Sequence, residues 1–286
     1  MTGSSAARTT TTNPRGVARV VRGVPTSDGA GVKLRRVIGQ PDLQDLDPFL
    51  MLDEFGTDAP EDYIAGFPEH PHRGFETVTY MLDGRMRHRD NHGHEGVLVP
   101  GSVQWMTAGR GIVHSEMPEQ QEGRMRGFQL WLNLPARDKM TEPRYQEFGP
   151  DKIPVATPAP GVSVKVIAGQ VGPVKGPIEQ PATDPTYLDV GLSPGAEYSH
   201  TLPEQHAAFM YVFEGAVRVG ETVVNAGQMA VLGDGAETRL TGEKDSRAIL
   251  VAGRPLKEPV ARYGPFVMNT REQLIQAVED FQKGKF

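Results

Sequence analysis

The sequence predicts an all-β protein built from two tandem strand-rich domains, with one short helix near its end. Three observations lead to this fold class: dense chain breakers, short β-branched segments between them, and a repeat shared by the two halves. The 286 residues include 33 Gly and 24 Pro, a mixture that favours many short strands and turns over long helices. A chain of this length exceeds what one hydrophobic core usually organises, so two domains are expected.

Composition and charge exclude several functional classes. No cysteine is present, which rules out disulfides and thiolate ligands, so any metal site must use His, Asp or Glu. The formal net charge of −6 argues against direct nucleic-acid binding, which needs a clustered basic face. No apolar run approaches the roughly 20 residues of a membrane span, and no secretory signal is recognisable. We therefore expect a soluble, cytoplasmic protein.

The first half of the chain supplies most of the clear strands. Residues 1–16 are expected to form a disordered tail, because residues 1–15 are rich in Ser and Thr and contain no acidic residue. Residues 17–138 are expected to form the N-terminal domain. A turn is predicted at 25–29, and 41–55 is predicted to be an irregular packing segment. Alternating or clustered apolar residues predict strands at 17–21, 32–38, 75–82, 96–99, 103–106, 112–116 and 128–134.

The second half begins where this alternation is lost. Residues 135–150 carry charged residues between prolines, so the domain boundary is placed there and residues 139–286 are expected to form the C-terminal domain. Its best strands are predicted at 162–168, 186–192, 209–213, 217–219 and 248–251. A helix is predicted at 270–283, where Thr270 and Gln273 can form a capping box.

An internal repeat relates the two halves. The strand and acidic-Gly turn at 80–84 resemble those at 211–215, and residues 99–106 recur in outline at 225–232. This order of shared segments suggests that the second domain repeats the architecture of the first.

Two short motifs in the first half predict a metal site. His70-Pro71-His72 and His114-Ser115-Glu116 each place two ligand-type side chains at i and i+2, which share one face of a strand. Three imidazoles and one carboxylate suit a divalent first-row metal and leave two octahedral positions open for a substrate or oxygen. The repeat places Thr201, Pro203, Leu240 and Gly242 at the corresponding positions of the second half, so that half is expected to lack the site.

Other polar residues have competing interpretations. A second alternating cluster is better explained as an exposed hairpin tip, because residues 91–96 have turn composition; it comprises His88, Asp90, His92 and His94. His200 and His206 are expected at the surface. Arg73 and Arg110 flank the metal motifs and can either bind an anionic substrate or pair with a carboxylate.

Longer runs resemble the pirin family of bicupins. The runs at 46–50, 70–78, 104–111, 114–116 and 264–270 carry this resemblance, which spans about residues 17–282. It implies two tandem cupin (jelly-roll-like) β-barrels, with one iron held in the N-terminal barrel by His70, His72, His114 and Glu116. Many ordinary cupins have a carboxylate ligand at the position of Glu76, whereas the pirin pattern uses Glu116. Glu76 is therefore expected to contact the ligand residues without binding the metal itself.

The resemblance leaves two functions open. Some pirins are quercetin 2,3-dioxygenases, which implies a flavonol-like substrate and O2. Glu116 is then expected to act as the general base, because it ends the second motif as a carboxylate near the open metal positions. Others are iron-dependent regulators, which implies a protein partner and a metal whose redox state acts as a switch. Fe(II) is the expected metal, while Mn, Co, Ni, Cu and Zn remain open. A zinc-type bicupin isomerase is a third and weaker interpretation, because it fits the metal motifs but not the pirin-like runs.

Overall fold

The structure is a computed structural model, and it describes residues 13–286. The first half contains strands β1 (Val17–Arg22), β2 (Val24–Asp28), β3 (Val32–Ile38), β4 (Phe49–Thr57), β5 (Phe67–His72), β6 (Phe75–Asp83), β7 (Met86–Asp90), β8 (Glu95–Leu98), β9 (Val103–Thr107), β10 (Ile112–Pro118), β11 (Met125–Asn133) and β12 (Arg144–Phe148). Short 3-10 turns lie at Pro60–Asp62, Ala136–Asp138 and Pro150–Lys152.

The second half also consists of short strands, and it ends in a helix. Its strands are β13 (Val155–Ala156), β14 (Val162–Ala168), β15 (Gln170–Val171), β16 (Val174–Lys175), β17 (Thr186–Leu192), β18 (Glu197–Thr201), β19 (Ala207–Glu214), β20 (Ala216–Val219), β21 (Thr222–Asn225), β22 (Gln228–Leu232), β23 (Glu237–Gly242), β24 (Ser246–Gly253), β25 (Ala261–Tyr263) and β26 (Phe266–Met268). Helix α1 spans Arg271–Gln282. The expected all-β class with one C-terminal helix is confirmed.

Each half forms a barrel from one seven-stranded and one four-stranded sheet. The N-terminal sheets have the orders β12-β9-β6-β11-β4-β3-β2 and β5-β10-β7-β8. The C-terminal sheets have the matching orders β1-β22-β19-β24-β17-β14-β13 and β18-β23-β20-β21. The internal repeat in the sequence therefore corresponds to two barrels with the same strand order.

The two barrels exchange their edge strands. Strand β1 pairs with β22 in the C-terminal sheet, and β12 pairs with β9 in the N-terminal sheet. The expected boundaries, 17–138 and 139–286, differ from this sheet membership at both strands. Alternation along a strand reports which face is buried but not which neighbour it pairs with, so the exchange has no local signal in the sequence.

The large sheets pack against each other and enclose the interdomain core. Aromatic residues from both barrels meet there, among them Trp105, Phe128, Tyr187 and Phe209. A separate apolar cluster fills the interior of the C-terminal barrel, where Val164, Val190 and Leu240 are among the buried side chains. The second barrel is thus filled where the first has room for a polar site.

The last part of the chain returns to the N-terminal barrel. Hairpin β25–β26 leads into α1, whose capping box between Thr270 and Gln273 forms as predicted. The Arg73 guanidinium on the first barrel lies 2.9 Å from Asp280 on α1. Within residues 13–286, no helix is long and apolar enough to cross a membrane.

Three local expectations differ from the structure. Residues 1–12 of the expected tail lie outside the described residues, but residues 13–16 are ordered, and the Arg15 guanidinium is buried against the carbonyl oxygens of Pro203 and His206. Most of the turn expected at 25–29 is strand β2. The segment at 41–55, expected to be irregular, contains most of β4, which pairs along its length with β11. Consecutive apolar residues bury both faces of that strand, so it lacks the alternation that would identify it.

Candidate metal site

Strands β5 and β10 bring three histidines into one cluster. His114 is the register partner of His70, and Ile112 is the partner of His72, so both motifs face the barrel interior side by side. The ligand atoms of the three imidazoles lie within 4.8 Å of one another. The ring centroids are separated by 4.7 Å for His70–His72, 4.5 Å for His70–His114 and 5.0 Å for His72–His114. The structure thus assembles the three histidines that the sequence predicted.

The ring nitrogens of this cluster are available for a metal ion. Nδ1 of His72 and both ring nitrogens of His114 are buried without a hydrogen-bond partner. The Nδ1–H of His70 donates to the Pro68 carbonyl oxygen at 2.8 Å, and because a carbonyl can only accept, Nε2 of His70 keeps its lone pair. Buried imidazole nitrogens without partners are costly unless another group binds them. The cluster therefore fits a divalent metal ion that imidazole ligands prefer.

The electrostatics of the site favour the neutral, ligating form of histidine. Burial lowers the pKa of His72 well below its usual value, and the neighbouring His114 and His70 lower it further. Burial also lowers the pKa of His114, with His70 and His88 acting in the same direction. Both rings are accordingly unprotonated at neutral pH, and each can offer a nitrogen lone pair.

Glu116 lies beside the histidines but outside the tight cluster. It follows His114 by two residues on β10, with a shift in the β5–β10 register between the two positions. Its side chain is buried, and Oε1 accepts a 3.0 Å hydrogen bond from the Thr79 hydroxyl. Burial raises the pKa of Glu116, while His70 and the Thr79 hydrogen bond oppose that rise. The carboxylate therefore has a basicity above that of an ordinary surface glutamate.

Thr79 and Gln129 are functional candidates that motif analysis missed. The Thr79 hydroxyl lies 3.0 Å from Glu116 Oε1 and 2.7 Å from Gln129 Oε1. A hydroxyl has one proton, so Thr79 can donate to only one of these acceptors at a time. Period-two alternation on β6 was the available signal, because it places Thr79 on the face opposite that of the apolar Val78.

Glu76 does not support the ligands, contrary to expectation. Its Oε1 accepts hydrogen bonds from Thr107 and from Gln180 of the second half, so its carboxyl lies at the interdomain contact. The same alternation on β6 explains the difference, because Glu76 shares a face with Tyr80 and not with Thr79.

The second polar cluster is only partly an exposed tip. His92 and His94 are exposed on the turn after β7, as expected, but His88 and Asp90 lie within β7 and are buried. His88 is the cross-strand partner of Glu116, and its Nε2 lies 2.7 Å from Glu147 Oε2. The turn composition that marks residues 91–96 does not extend back into β7, so the prediction of an exposed tip was wrong for His88 and Asp90.

His200, His206, Arg73 and Arg110 are the other polar residues that the sequence identified as candidates. His200 and His206 are buried, which contradicts the expected surface location. Burial lowers the pKa of His200 to about 4, and its Nδ1 lies 3.0 Å from the Tyr198 hydroxyl. Arg73 pairs with Asp280 at 2.9 Å and Arg110 with Glu142 at 2.9 Å. The two arginines that flank the metal motifs therefore pair with carboxylates.

A cavity of about 590 Å³ opens beside the histidine cluster. His70, His72 and Glu116 line its inner end, and the apolar wall includes Met51, Leu34, Phe55, Phe67 and Trp131. Gly264 and Pro265, from the turn between β25 and β26, also line the cavity. A cavity of this size with a mainly apolar wall and a few convergent polar groups is typical of a small-molecule site.

Comparison with known proteins identifies the family. Residues 31–132 match the Pirin family, and residues 187–286 match the Pirin C-terminal cupin domain. A pirin-like protein of Caulobacter vibrioides is 56% identical over 274 residues, which cover 95% of this chain and 99% of that protein. The chain belongs to the pirin family. Human pirin is 45% identical to this pirin over 266 residues, covering 91% of the chain and 89% of the human protein.

Solved structures agree with this assignment. The crystal structure of a quercetin 2,3-dioxygenase from Acinetobacter baumannii superposes on this pirin with a TM-score of 0.89. The two sequences are 34% identical, and the match covers 96% of this chain and 99% of the other. The two barrels of this pirin are therefore cupin domains, as the resemblance implied.

Proposed function

We propose that this pirin is a metal-dependent dioxygenase that acts on quercetin or a related flavonol. The observation that carries the proposal is the three-histidine cluster with unpartnered, buried ring nitrogens at the inner end of an apolar cavity. The likeness to the quercetin 2,3-dioxygenase of Acinetobacter baumannii supports the same reaction class. A flat aromatic substrate suits a cavity wall that contains Phe67 and Trp131.

The proposed ligands are His70, His72, His114 and Glu116, and the proposed metal is Fe(II). Mn, Co, Ni, Cu and Zn also suit imidazole or carboxylate ligands. When bound, the metal would supply Lewis acidity toward the substrate's ionised hydroxyl and redox chemistry for the reaction with O2.

Glu116 is the proposed general base. Its buried carboxylate lines the cavity, and the upward shift of its pKa brings it closer to the pKa of a substrate hydroxyl. While Glu116 is ionised, the Thr79 hydroxyl donates to Oε1 at 3.0 Å. After Glu116 accepts the substrate proton, Thr79 can turn its own proton toward Gln129 Oε1 and accept from Glu116. Thr79 thus satisfies the carboxyl in both protonation states.

Oxygen consumption and carbon monoxide release with quercetin test this proposal. We expect metal-loaded wild-type protein to produce both, and Glu116→Gln to lose at least about a hundredfold in turnover, because the amide can neither accept the proton nor provide a charged metal ligand. Glu122→Gln is a matched control, since Glu122 is exposed in the turn before β11. Absence of metal-dependent turnover by the wild type with several flavonols would refute the oxygenase proposal.

A second candidate function is a metal-dependent regulatory switch that acts through a protein partner. The observation that favours it is the link from His72, through the adjacent Arg73, to Asp280 on α1. The outer side of that helix exposes Ile275 and Phe281, with Tyr263 nearby on β25. A change in charge at the metal would alter the electrostatic environment of the Arg73–Asp280 ion pair and so the contact between α1 and the first barrel. Partner capture from cell extract by the reduced and oxidised metal forms tests the switch, and equal capture by the two forms would exclude it.

A further inference from the structure

One wall of the cavity comes from the far end of the chain. Hairpin β25–β26 follows the second barrel in sequence, yet its residues Arg262, Gly264 and Pro265 line the cavity of the first barrel. His72 and Glu116 are buried, whereas Arg262 is exposed, so the cavity has an inner end at the histidines and Glu116 and an outer end beside Arg262.

The hairpin is held firmly against the histidine strand. The Arg73 N–H donates to the Pro265 carbonyl oxygen at 3.3 Å, and the Val267 N–H donates to the Arg73 carbonyl oxygen at 3.0 Å. The buried Lys139 ammonium donates to the carbonyl oxygens of Gly74 and Val267 at 2.8 and 3.0 Å. The hairpin backbone is thus hydrogen-bonded to Arg73, the residue that follows His72.

The Arg262 side chain lies over an aromatic ring that reaches back to the histidines. Its guanidinium carbon is 4.7 Å from the Trp131 ring centroid, and the Trp131 ring is 5.4 Å from the His72 ring. This contact places the guanidinium over the ring face, and the donors that do not contact Leu50 can bind another group.

Arg262 differs in its partners from the other arginine that lines the cavity. Arg36 donates to both carboxylate oxygens of Asp53 and to Asp28, at 2.7–2.9 Å. Arg262 makes one 3.3 Å hydrogen bond to the Leu50 carbonyl oxygen, and no carboxylate of residues 13–286 lies within 4.0 Å of it. Two of the acidic residues that line the cavity, Asp28 and Asp53, are thus ion-paired with Arg36, whereas Arg262 has no carboxylate at ion-pair distance in the described part of the chain.

We infer that Arg262 binds an anionic oxygen at the outer end of the substrate. The inference rests on the proposed function, since it assumes that an aromatic substrate occupies the cavity with its reacting end at the histidines. It adds the substrate class: an aromatic compound with a second acidic group, a carboxylate or an ionised phenol, remote from the reacting end. A guanidinium recognises such an oxygen through charge-assisted hydrogen bonds.

Calorimetric titration under nitrogen tests this inference on metal-loaded protein without turnover. The probes are 3-hydroxyflavone and its derivatives that carry a carboxylate or a hydroxyl at the 4′ position. We expect the wild type to bind the carboxylate derivative about tenfold more tightly than the unsubstituted compound. Arg262→Gln should reduce the ratio of the two affinities to about one, because the charged contact is lost, and a ratio measured within one variant is insensitive to changes that affect both ligands equally. Arg262→Lys should retain part of the preference for the carboxylate derivative, because the positive charge is kept.

Arg271→Gln is the matched control, because Arg271 lies near Arg262 at the start of α1 but does not line the cavity. If only the 4′-hydroxyl compound binds more tightly than 3-hydroxyflavone, and this difference disappears in Arg262→Gln, the inference is supported and the acidic group is a phenol. Binding of 3-hydroxyflavone without a gain from either substituent would refute the role of Arg262 and leave the proposed function standing. If the wild type binds none of the three compounds, both the inference and the proposed flavonol function fail.

Discussion

Tyr80 of the first barrel donates a 2.6 Å hydrogen bond to Asp189 of the second barrel, across the buried interface between them. The reciprocal bond joins Tyr211 of the second barrel to Glu54 of the first, at 2.5 Å. Tyr80 and Tyr211 occupy matching strands, β6 and β19, and their acceptors lie on the matching strands β17 and β4. The tyrosines that marked the internal repeat in the sequence therefore join the two barrels in a pseudo-symmetric manner.

Removal of the Tyr80 hydroxyl is expected to destabilise the protein. Asp189 is buried and keeps only its 2.6 Å contact with Arg247 when Tyr80 is replaced by Phe. We expect Tyr80→Phe to lower the free energy of unfolding by about 1–3 kcal/mol, because a buried charged acceptor loses a partner. Chemical denaturation measures this change. Tyr263→Phe is the control, since Tyr263 is exposed, and an equal effect of both variants would contradict the prediction.

The contact between α1 and the first barrel should depend on acid pH. Hydrogen bonds from Arg73, and then from Lys285 and Gln276, lower the pKa of Asp280 from 3.8 to about 2. Because the folded-state pKa is the lower one, this carboxylate contributes stability above pH 3.8, and the contribution disappears as the pH falls toward 2. We expect Asp280→Asn to be less stable than the wild type at pH 7, with the difference shrinking below pH 3.8 and vanishing only below pH 2. A stability difference that is constant over this range would contradict the assignment.

Thr79 should affect the pKa of Glu116, the proposed general base. Thr79→Val removes the hydroxyl that donates to ionised Glu116, so the pKa of Glu116 should rise further and the acid limb of kcat/KM should move to higher pH. Turnover of quercetin should therefore fall on the acid side of the pH profile. Thr79→Ser keeps the hydroxyl and should retain the wild-type pH profile. An unchanged profile in Thr79→Val would show that Thr79 does not act on Glu116.

Gly96 makes room for the pair formed by His88 and Glu147. A Cβ atom at residue 96 would clash with His88 Nε2 and would lie 2.9 Å from Glu147 Oε1. We expect Gly96→Ala to displace that pair and to cost about 1–3 kcal/mol of stability, as overpacking typically does. Gly16→Ala is the control, because no atom lies within 4 Å of its added Cβ. Equal denaturation midpoints for the two variants would show that the pair can move without cost.

Sequence reasoning succeeded where the chemistry is local. The His-x-His and His-x-Glu motifs on strands fix which side chains share a face, and the capping box at Thr270 fixes where α1 begins. It failed where partners come from distant segments. The exchange of β1 and β12, the burial of His88 against Glu147, and the return of Arg262 to the first barrel all depend on tertiary pairing. No periodicity within those segments encodes them.

The proposed ligand set also predicts the effect of metal removal on stability. An ion that binds only the folded protein raises its stability by mass action, so a chelator should lower the melting temperature of the wild type. A variant that cannot bind the ion, such as His70→Ala, should not respond to the chelator. A chelator response in His70→Ala equal to that of the wild type would place the metal elsewhere.

Metal content after purification without added metal tests the central claim most directly. We expect about one first-row metal ion per wild-type chain, since the buried cluster offers a single set of three imidazoles. His114→Ala should contain essentially none while its far-UV circular dichroism remains that of the folded β-protein. His92→Ala, which changes an exposed histidine, should keep the full content. Stoichiometric metal in folded His114→Ala would contradict the proposed site.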